Sequence, residues 1–528
     1  MTAKMKLKRK ILIVALGLLG AAILVPISYH YHLKAVEDRW RARLAAEGEP
    51  MDLAQALPAA VSPAQNNAEQ VLKAVALMET RETCLSSNPV YGEVMVAGGK
   101  AMVVATHASV CEPGKYGFTN SWEQEQAAVT ENKDCLELLR SMLVKPRLIF
   151  PIPYTNGFAD AGFFTNTHLS ELKKSATLLA GAAIVELNRQ NTRTAIANTR
   201  AALAISEALQ DQRTAISELV RIAIASIAQG ATWEILQSRF ATDSDLDALQ
   251  NDWTRFNFPH SYADALTVER IVSDNELERC RKSDAVLQEY LGISRKALMT
   301  MGAGDYEPPG VYERAKLSAK IFVWRYWWSY TDEARSLRGW EILTRAARGA
   351  ETNAFSIVLS GQESELAPLN LDASFDVLSN PILLLAQSDL HSMQSQSIAT
   401  MSGLLRRVMM AEATQRLTIT AIAMKRFQLR HGHYPKQLVD LTPEFLGAIP
   451  LDPVDAQPVR YRLNADETFT LYSIGPNEKD DGGDSSCEKG HELESLSWVD
   501  RHALDWVWPQ PASESEIEKY FKDEAKKD

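Results

Sequence analysis

The residues best placed for chemistry lie near the C-terminus, where Asp480, Asp481 and Asp484 put three carboxyl groups within five residues. Carboxylates that close repel one another unless water solvates them or a cation neutralises them. A solvated acidic turn and a cation-binding loop both fit the pattern. A second concentration is aromatic, with six rings in the nine residues from Phe322 to Tyr330. In a helix Trp324, Trp327 and Trp328 share one face, which is either core or a binding surface for sugar rings or lipid. His260, Glu269, Asp274, Glu276 and Glu278 could in principle assemble a site, although such residues in a helical protein usually sit in solvent or in salt bridges. His30 and His32 could ligate a metal or serve as polar residues at a membrane interface. No residue is assigned a catalytic role. His491-Glu492 lacks the second histidine of a zinc-protease helix, and Gly302-Ala303-Gly304 has no third glycine, preceding strand or lysine to cradle phosphate. A nucleophile elbow is absent as well. Because active sites are assembled from residues far apart in sequence, an envelope hydrolase with its site in a helical body stays as the alternative to a structural or interaction protein.

The elements that must position these residues begin with an apolar, uncharged run of 19 residues, Ile11 to Tyr29. That is enough helix to cross a hydrocarbon core of about 30 Å. Lys4, Lys6, Lys8, Arg9 and Lys10 precede it and no acid appears before Glu37, which predicts an N-terminus held in the cytoplasm and an exported remainder. The competing reading, a cleaved signal peptide, lacks a small-x-small cleavage site in Ser28-Tyr29-His30-Tyr31-His32. Tyr29 and Tyr31 fit an interfacial aromatic belt. The lipid bilayer is thus the expected partner of residues 11–29.

The composition, 46% hydrophobic and 23% charged, is that of a globular chain, and the net charge of −11 argues against nucleic acid as a partner. Five cysteines in 528 residues exclude a disulfide-dense scaffold, though outside the cytoplasm a bond among Cys84, Cys111 and Cys135 is plausible. Pairings that include Cys280 or Cys487 stay open.

The chain reads as mainly α. A cytoplasmic stub and anchor cover 1–32. A linker over 33–65 starts as a charged helix-like stretch and ends in Pro58 and Pro63. A mixed, mostly helical region follows over 66–160, with an amphipathic helix from Ala68 and a glycine-broken β-prone patch from Val90 to Val104. Over 161–400 the Ala, Leu and Glu content and the three-and-four spacing of apolar residues predict an irregular helical body. A break at Asn188 to Asn191 makes its first part a helical hairpin. A polar, loop-rich stretch from Ser360 to Leu378 precedes a long helix over about 404–430, which Gly432 caps and Pro435 stops. Residues 401–510 form a small α+β unit: Val459, Tyr461 and Leu463 alternate as a strand, Asn464 to Glu467 turn, and Thr468 to Ile474 return. A charged tail covers 511–528.

Within this last unit, Tyr434-Pro435, Pro450-Leu451-Asp452-Pro453, Leu471-Tyr472-Ser473-Ile474-Gly475 and Asp505-Trp506-Val507-Trp508 occur in an order that resembles the globular domain of the type II secretion major pseudopilin. The likeness covers about residues 404–508. On a longer helical body behind an anchor, the unit also resembles that of uncharacterised bacterial envelope proteins. The resemblance implies a short antiparallel sheet closed by the Asp505 to Trp508 strand, the inner membrane of a bacterium as the location, and an exported, periplasmic bulk. It also implies calcium in the loop after the Tyr-Ser-x-Gly strand end, with Asp480, Asp481, Asp484 and Asp505 as ligands. Asn477 and Leu504 stand where the family carries acids. The anchor has no processed glycine followed by an early glutamate, and some 370 residues part it from the unit, so pilus assembly is not implied. The function expected is a membrane-anchored structural or interaction module that binds an envelope protein or the cell wall.

Overall fold

In the computed structural model the described residues are 2–79, 95–98, 101–104, 121–156, 167–290, 311–369, 389–489, 501–524 and 526. The Gly302 to Gly310 loop, Cys84, Cys111 and His491-Glu492 lie outside them. Helix α1, Thr2–Ala46, runs without interruption through the apolar segment and on through the charged residues after it. The expected linker is therefore helix over 33–46, held by the Lys34–Asp38 and Glu37–Arg41 pairs one turn apart. Helix α2 (Leu53–Ala56), whose first turn is capped by the Asp52 carboxylate, and α3 (Ala68–Ala76) follow. Strands β1 (Met95–Gly98) and β2 (Ala101–Val104) pair antiparallel within the patch read as β-prone. Next come α4 (Trp122–Glu131), started by a reciprocal Ser121–Gln124 capping box, and α5 (Lys133–Arg140).

The helical hairpin forms where the sequence breaks. Helices α6 (Thr167–Asn188) and α7 (Thr192–Ala208) are joined by three residues, with Gln190 at φ 62° and the Asn191 side chain accepting from the Thr194 N–H. Helix α8 (Ala215–Gln237), capped by Thr214 and Ser217, packs on both. Buried alanines at 180, 183, 195 and 231 permit the close approach. By length and composition α8 could cross a membrane, but most of it is buried inside the protein, as a core helix is. Helices α9 (Asp243–Trp253), α10 (Phe258–Lys282) and α11 (Asp284–Tyr290) continue the body. Helix α12 (Val311–Val323) passes through a wide π turn, Trp324–Trp328, directly into α13 (Ser329–Gly349). Part of the stretch expected to be loop is helix: α14 (Phe355–Leu366) buries Phe355, Leu359, Gln362 and Leu366 along one stripe. Gln362, a polar residue on the buried stripe, interrupts that apolar period, and Ser360 and Ser364 around it add to the look of a loop.

Helix α15, Asp389–His431, is longer than the sequence reading and serves two neighbourhoods. Its N-terminal part packs on α13 and α14, and its C-terminal part packs on α9 and the small sheet. Gln415 donates from its side-chain amide to the carbonyls of Trp253 and Phe256, satisfying the end of α9. Gly432 (φ 83°) ends α15, as its position before Pro435 requires. Strands β3 (Arg460–Leu463), β4 (Phe469–Ser473) and β5 (Trp506–Val507) make an antiparallel sheet in that order, with Arg460 opposite Tyr472 and Ser473 opposite Trp506. Buried Asp452 joins the two-proline segment to β4, accepting from the Val454 and Ile474 N–H groups and from the Ser473 hydroxyl.

One continuous hydrophobic core runs from Val71 to Trp508, so the α+β unit is fused to the body. Strand β6 (Gln510–Pro511) returns to pair parallel with β2, and the Trp233 indole N–H donates to the Pro509 carbonyl at 2.9 Å. The charged tail carries a helix, α16 (Glu514–Glu524), capped by Ser513 and anchored by buried Ile517. Trp233→Ala is expected to cost about 3–5 kcal/mol, and Trp233→Phe about 1–3 kcal/mol through the orphaned Pro509 carbonyl. Thermal unfolding of the two variants checks both; a Trp233→Phe protein as stable as the parent would show that the hydrogen bond adds nothing.

Candidate functional site

Helices α1, α10 and α13 converge on a buried group of charges. Arg41 of α1 donates from Nη2 to Oδ1 of Asp274 and to Oε1 of Glu333, both at 2.7 Å, while its Nε bonds Glu37. Arg281 of α10 closes on the other oxygen of Glu333, with its guanidinium 4.6 Å from the Tyr330 ring centroid. Glu37, Asp274 and Glu333 are all buried, and their oxygens lie within 4.8 Å of one another. Three carboxyls against two guanidiniums leave one negative charge too many, and burial makes an uncompensated charge costly. The group relieves this by keeping a proton. Burial raises the pKa of Asp274 well above 3.8, and its hydrogen bond with Glu333 raises it further. Burial and the nearby Glu333 also raise Glu37. With one proton held, two carboxylates face two guanidiniums. A grouping of this kind could serve a metal, but Arg41 and Arg281 already supply the positive charge a metal would bring.

Further ion pairs extend the join. Arg43 meets Glu341 at 2.6 Å, Arg348 meets Glu49, and buried Arg270 donates to the Pro50 carbonyl. Contacts of His30 with Tyr330, Arg41 with Glu333, Arg43 with Glu341 and Glu49 with Arg348 show that α13 runs beside α1 in the same direction.

The loop aspartates take a different arrangement. Buried Asp505 reaches back to the loop, accepting from the N–H groups of Gly483 at 2.7 Å, Asp484 at 3.1 Å and Asp481 at 3.4 Å. Burial pushes its pKa up to about 6, against the pull of those N–H groups. Asp480 accepts from the Tyr472 hydroxyl, Asp481 from the Asn477 amide and Asp484 from the Ser486 N–H. Glycine is required at Gly483, where φ is 80° and a Cβ would lie 2.7 Å from the Thr470 methyl. The structure thus brings Asp505 to the loop but turns Asp480, Asp481 and Asp484 towards partners of their own. Among the described residues the three-carboxylate grouping is that of Glu37, not of this loop.

Trp324 is core: it is buried against Leu277, Cys280, Leu287 and Ile321, and its indole N–H donates to Asp332 at 2.8 Å. Trp328 is half-buried beside the same cluster, and the Trp327 side chain lies outside the described residues. Among the described rings of this segment the exposed ones are Phe322 and Tyr326. The α10 candidates are spread along their helix. Exposed His260 pairs with Glu351 and exposed Glu278 with Lys282, whereas buried Glu269 accepts from the Ala215 N–H at the start of α8 and is pushed up to about 7 by burial. His30 lies against Tyr330, with ring centroids 4.8 Å apart. Cys135 is a free buried thiol in this structure, and Cys84 and Cys111, its candidate partners, lie outside the described residues; burial raises the pKa of Cys135 to about 11 and that of Cys280 to about 12.

The described residues include two clefts of note. One, of about 530 Å³, is lined by α2 residues with Leu57, Pro58, Ile152 and Tyr154, and is open and largely apolar. The other, of about 300 Å³, lies between Glu351 to Asn353, Arg416 and the Pro450 to Pro453 segment. Neither is lined by Glu269 or Asp274. Comparison with models of protein families, with curated proteins and with solved structures finds no match for this chain.

The Arg41 group was not legible beforehand. Its local trace is Glu37 and Arg41 one turn apart; Asp274 was visible as a candidate, but nothing in the sequence links it to Glu333. Asp274 binds its proton more tightly folded than unfolded. That contribution to stability is complete below 3.8 and is lost as pH rises through the raised folded value. Asp274→Asn should therefore stay within about 1 kcal/mol of the parent near neutrality and lose stability less steeply at alkaline pH. Glu333→Ala, which strands two guanidiniums, should cost about 3–5 kcal/mol. Chemical denaturation across pH checks both; a parent that gains stability with rising pH, by an amount Asp274→Asn abolishes, would contradict the retained proton.

Proposed function

We propose that this protein is a single-pass membrane protein of the bacterial envelope, with its N-terminus in the cytoplasm and its bulk outside as a structural or interaction body. The observation that carries this reading is helix α1, which passes without a loop from the apolar run into the Arg41 group. Leu24, Val25, Ile27, Tyr29 and Tyr31 are exposed on it, as side chains meant for lipid and its interface would be. The basic residues from Lys4 to Lys10 support the orientation. On this reading the anchor is a stiff post, and the body stands on the bilayer at a set height. The open apolar cleft around Leu57, Pro58, Ile152 and Tyr154 is then the surface offered to an envelope protein, and the fused pseudopilin-like unit braces the opposite end of α15.

Fractionation tests the reading. The full-length chain should stay with membranes through alkaline carbonate, need detergent for release, and be cut by protease added outside spheroplasts. Recovery as a freely soluble cytoplasmic protein would overturn it. Arg41→Ala should leave membrane association unchanged while hastening proteolysis between residues 47 and 66, read by limited digestion in membranes.

A further inference from the structure

Helix α12 and the π turn after it present an unusual outer face. Among their described side chains, those at 311, 312, 315, 318, 319, 322 and 326 are exposed, a helical period of three and four. The stripe reads Val311, Tyr312, Ala315, Ser318, Ala319, Phe322 and Tyr326. Val311 and Tyr312 are 77% and 75% exposed, Phe322 58% and Tyr326 47%. Large apolar side chains at both ends of some 20 Å of helix, with two alanines and a serine between them, make a face poorly suited to water. The opposite face, Ile321 and Trp324, is fastened to the body.

The stripe is continuous with α1 where the apolar run ends. Tyr31 meets His30 edge-on at 5.9 Å, His30 lies 6.2 Å from Tyr326, and Tyr326 lies 4.8 Å from Phe322. This ladder of rings puts Phe322 and Tyr326 beside Tyr29 to Tyr31, the residues that would mark the bilayer surface. Resting on the anchored reading above, we propose that α12 is an interfacial helix that lays this stripe on the outer leaflet next to the anchor. It cannot be a second span. Thirteen residues make about 20 Å of helix against about 30 Å of hydrocarbon. Its sequence also carries Glu313, Arg314, Lys316 and Lys320, and each charge at a membrane centre costs about 2.5–3.5 kcal/mol. Three basic residues against one acid, with an apolar stripe, suit the surface of a membrane that contains anionic lipid. The π turn supplies the means, since such a turn is where an otherwise continuous helix bends.

The test uses the full-length chain in vesicles of phosphatidylethanolamine and phosphatidylglycerol. The photoreactive residue p-benzoylphenylalanine is placed singly at Tyr312, Phe322, Leu24 or Phe240, and lipid adducts are measured by mass spectrometry after illumination. Leu24 reports the anchor, and Phe240, exposed on the loop after α8, reports background. Adducts at Tyr312 and Phe322 several-fold above Phe240 are expected. Background levels at both, with strong adducts at Leu24, would overturn the interfacial helix and leave the anchor standing. Background levels at Leu24 would overturn the anchor and this inference together.

Discussion

Arg41 sits where three separate stretches of chain must agree. Its guanidinium is shared among Glu37 of its own helix, Asp274 of α10 and Glu333 of α13. Taking five ionisable groups out of water is expensive, and the attraction among them offsets that cost only when every partner is present and well placed. The arrangement is therefore a poor source of raw stability, but it is sensitive to register: a helix that docked one turn away would leave Arg41 only Glu37 and lose Asp274 and Glu333. The extra carboxyl, neutralised by a retained proton rather than a third base, leaves a group whose balance depends on pH.

That register propagates. With α1 fixed against α13, the ring contacts of His30 with Tyr326 and Tyr330 follow, and so do the Arg43–Glu341 and Arg348–Glu49 pairs further along. At the other end of the molecule the same economy of long helices operates through α15, which belongs to the body and to the sheet at once. The chain end then closes the structure by pairing β6 with β2 and by giving the Pro509 carbonyl to Trp233. Residues of the 161–400 body and of the 401–510 unit thus share one core.

Features set by local physics could be read from sequence. The α6–α7 hairpin declared itself because Asn188 to Asn191 interrupt a strong helical period, and the end of α15 because Gly432 and Pro435 leave no other path. The β3–β4 pair followed from alternation around a polar turn. What failed to show depended on partners distant in sequence. Glu333 looks like any acid on a helix until α1 brings Arg41 to it. Trp324 and Trp328 look alike in sequence, but Trp324 is buried against Cys280 and Leu287, and among the described rings of this segment Phe322 and Tyr326 are the exposed ones. The acidic loop shows its charges in sequence but not its hydrogen bonds: the folded loop gives Asp480, Asp481 and Asp484 separate partners and brings Asp505 back to its backbone.

On the proposed reading, these contacts decide how the body is presented. A single helix crossing a bilayer can tilt and spin about its own axis, and its tilt is set by what packs against it at the interface. If a flexible linker followed the anchor, the body would sample every orientation and an exposed cleft would gain nothing from its position. Here the helix leaves the apolar run without a loop and is gripped within about three turns by Arg41, so rotation of the anchor is rotation of the body. A second contact with the same leaflet through Phe322 and Tyr326 would remove that rotation. Two attachments fix the angle as well as the height, and a cleft held at fixed angle and height meets a membrane-bound partner at a far higher effective concentration than a tethered one does.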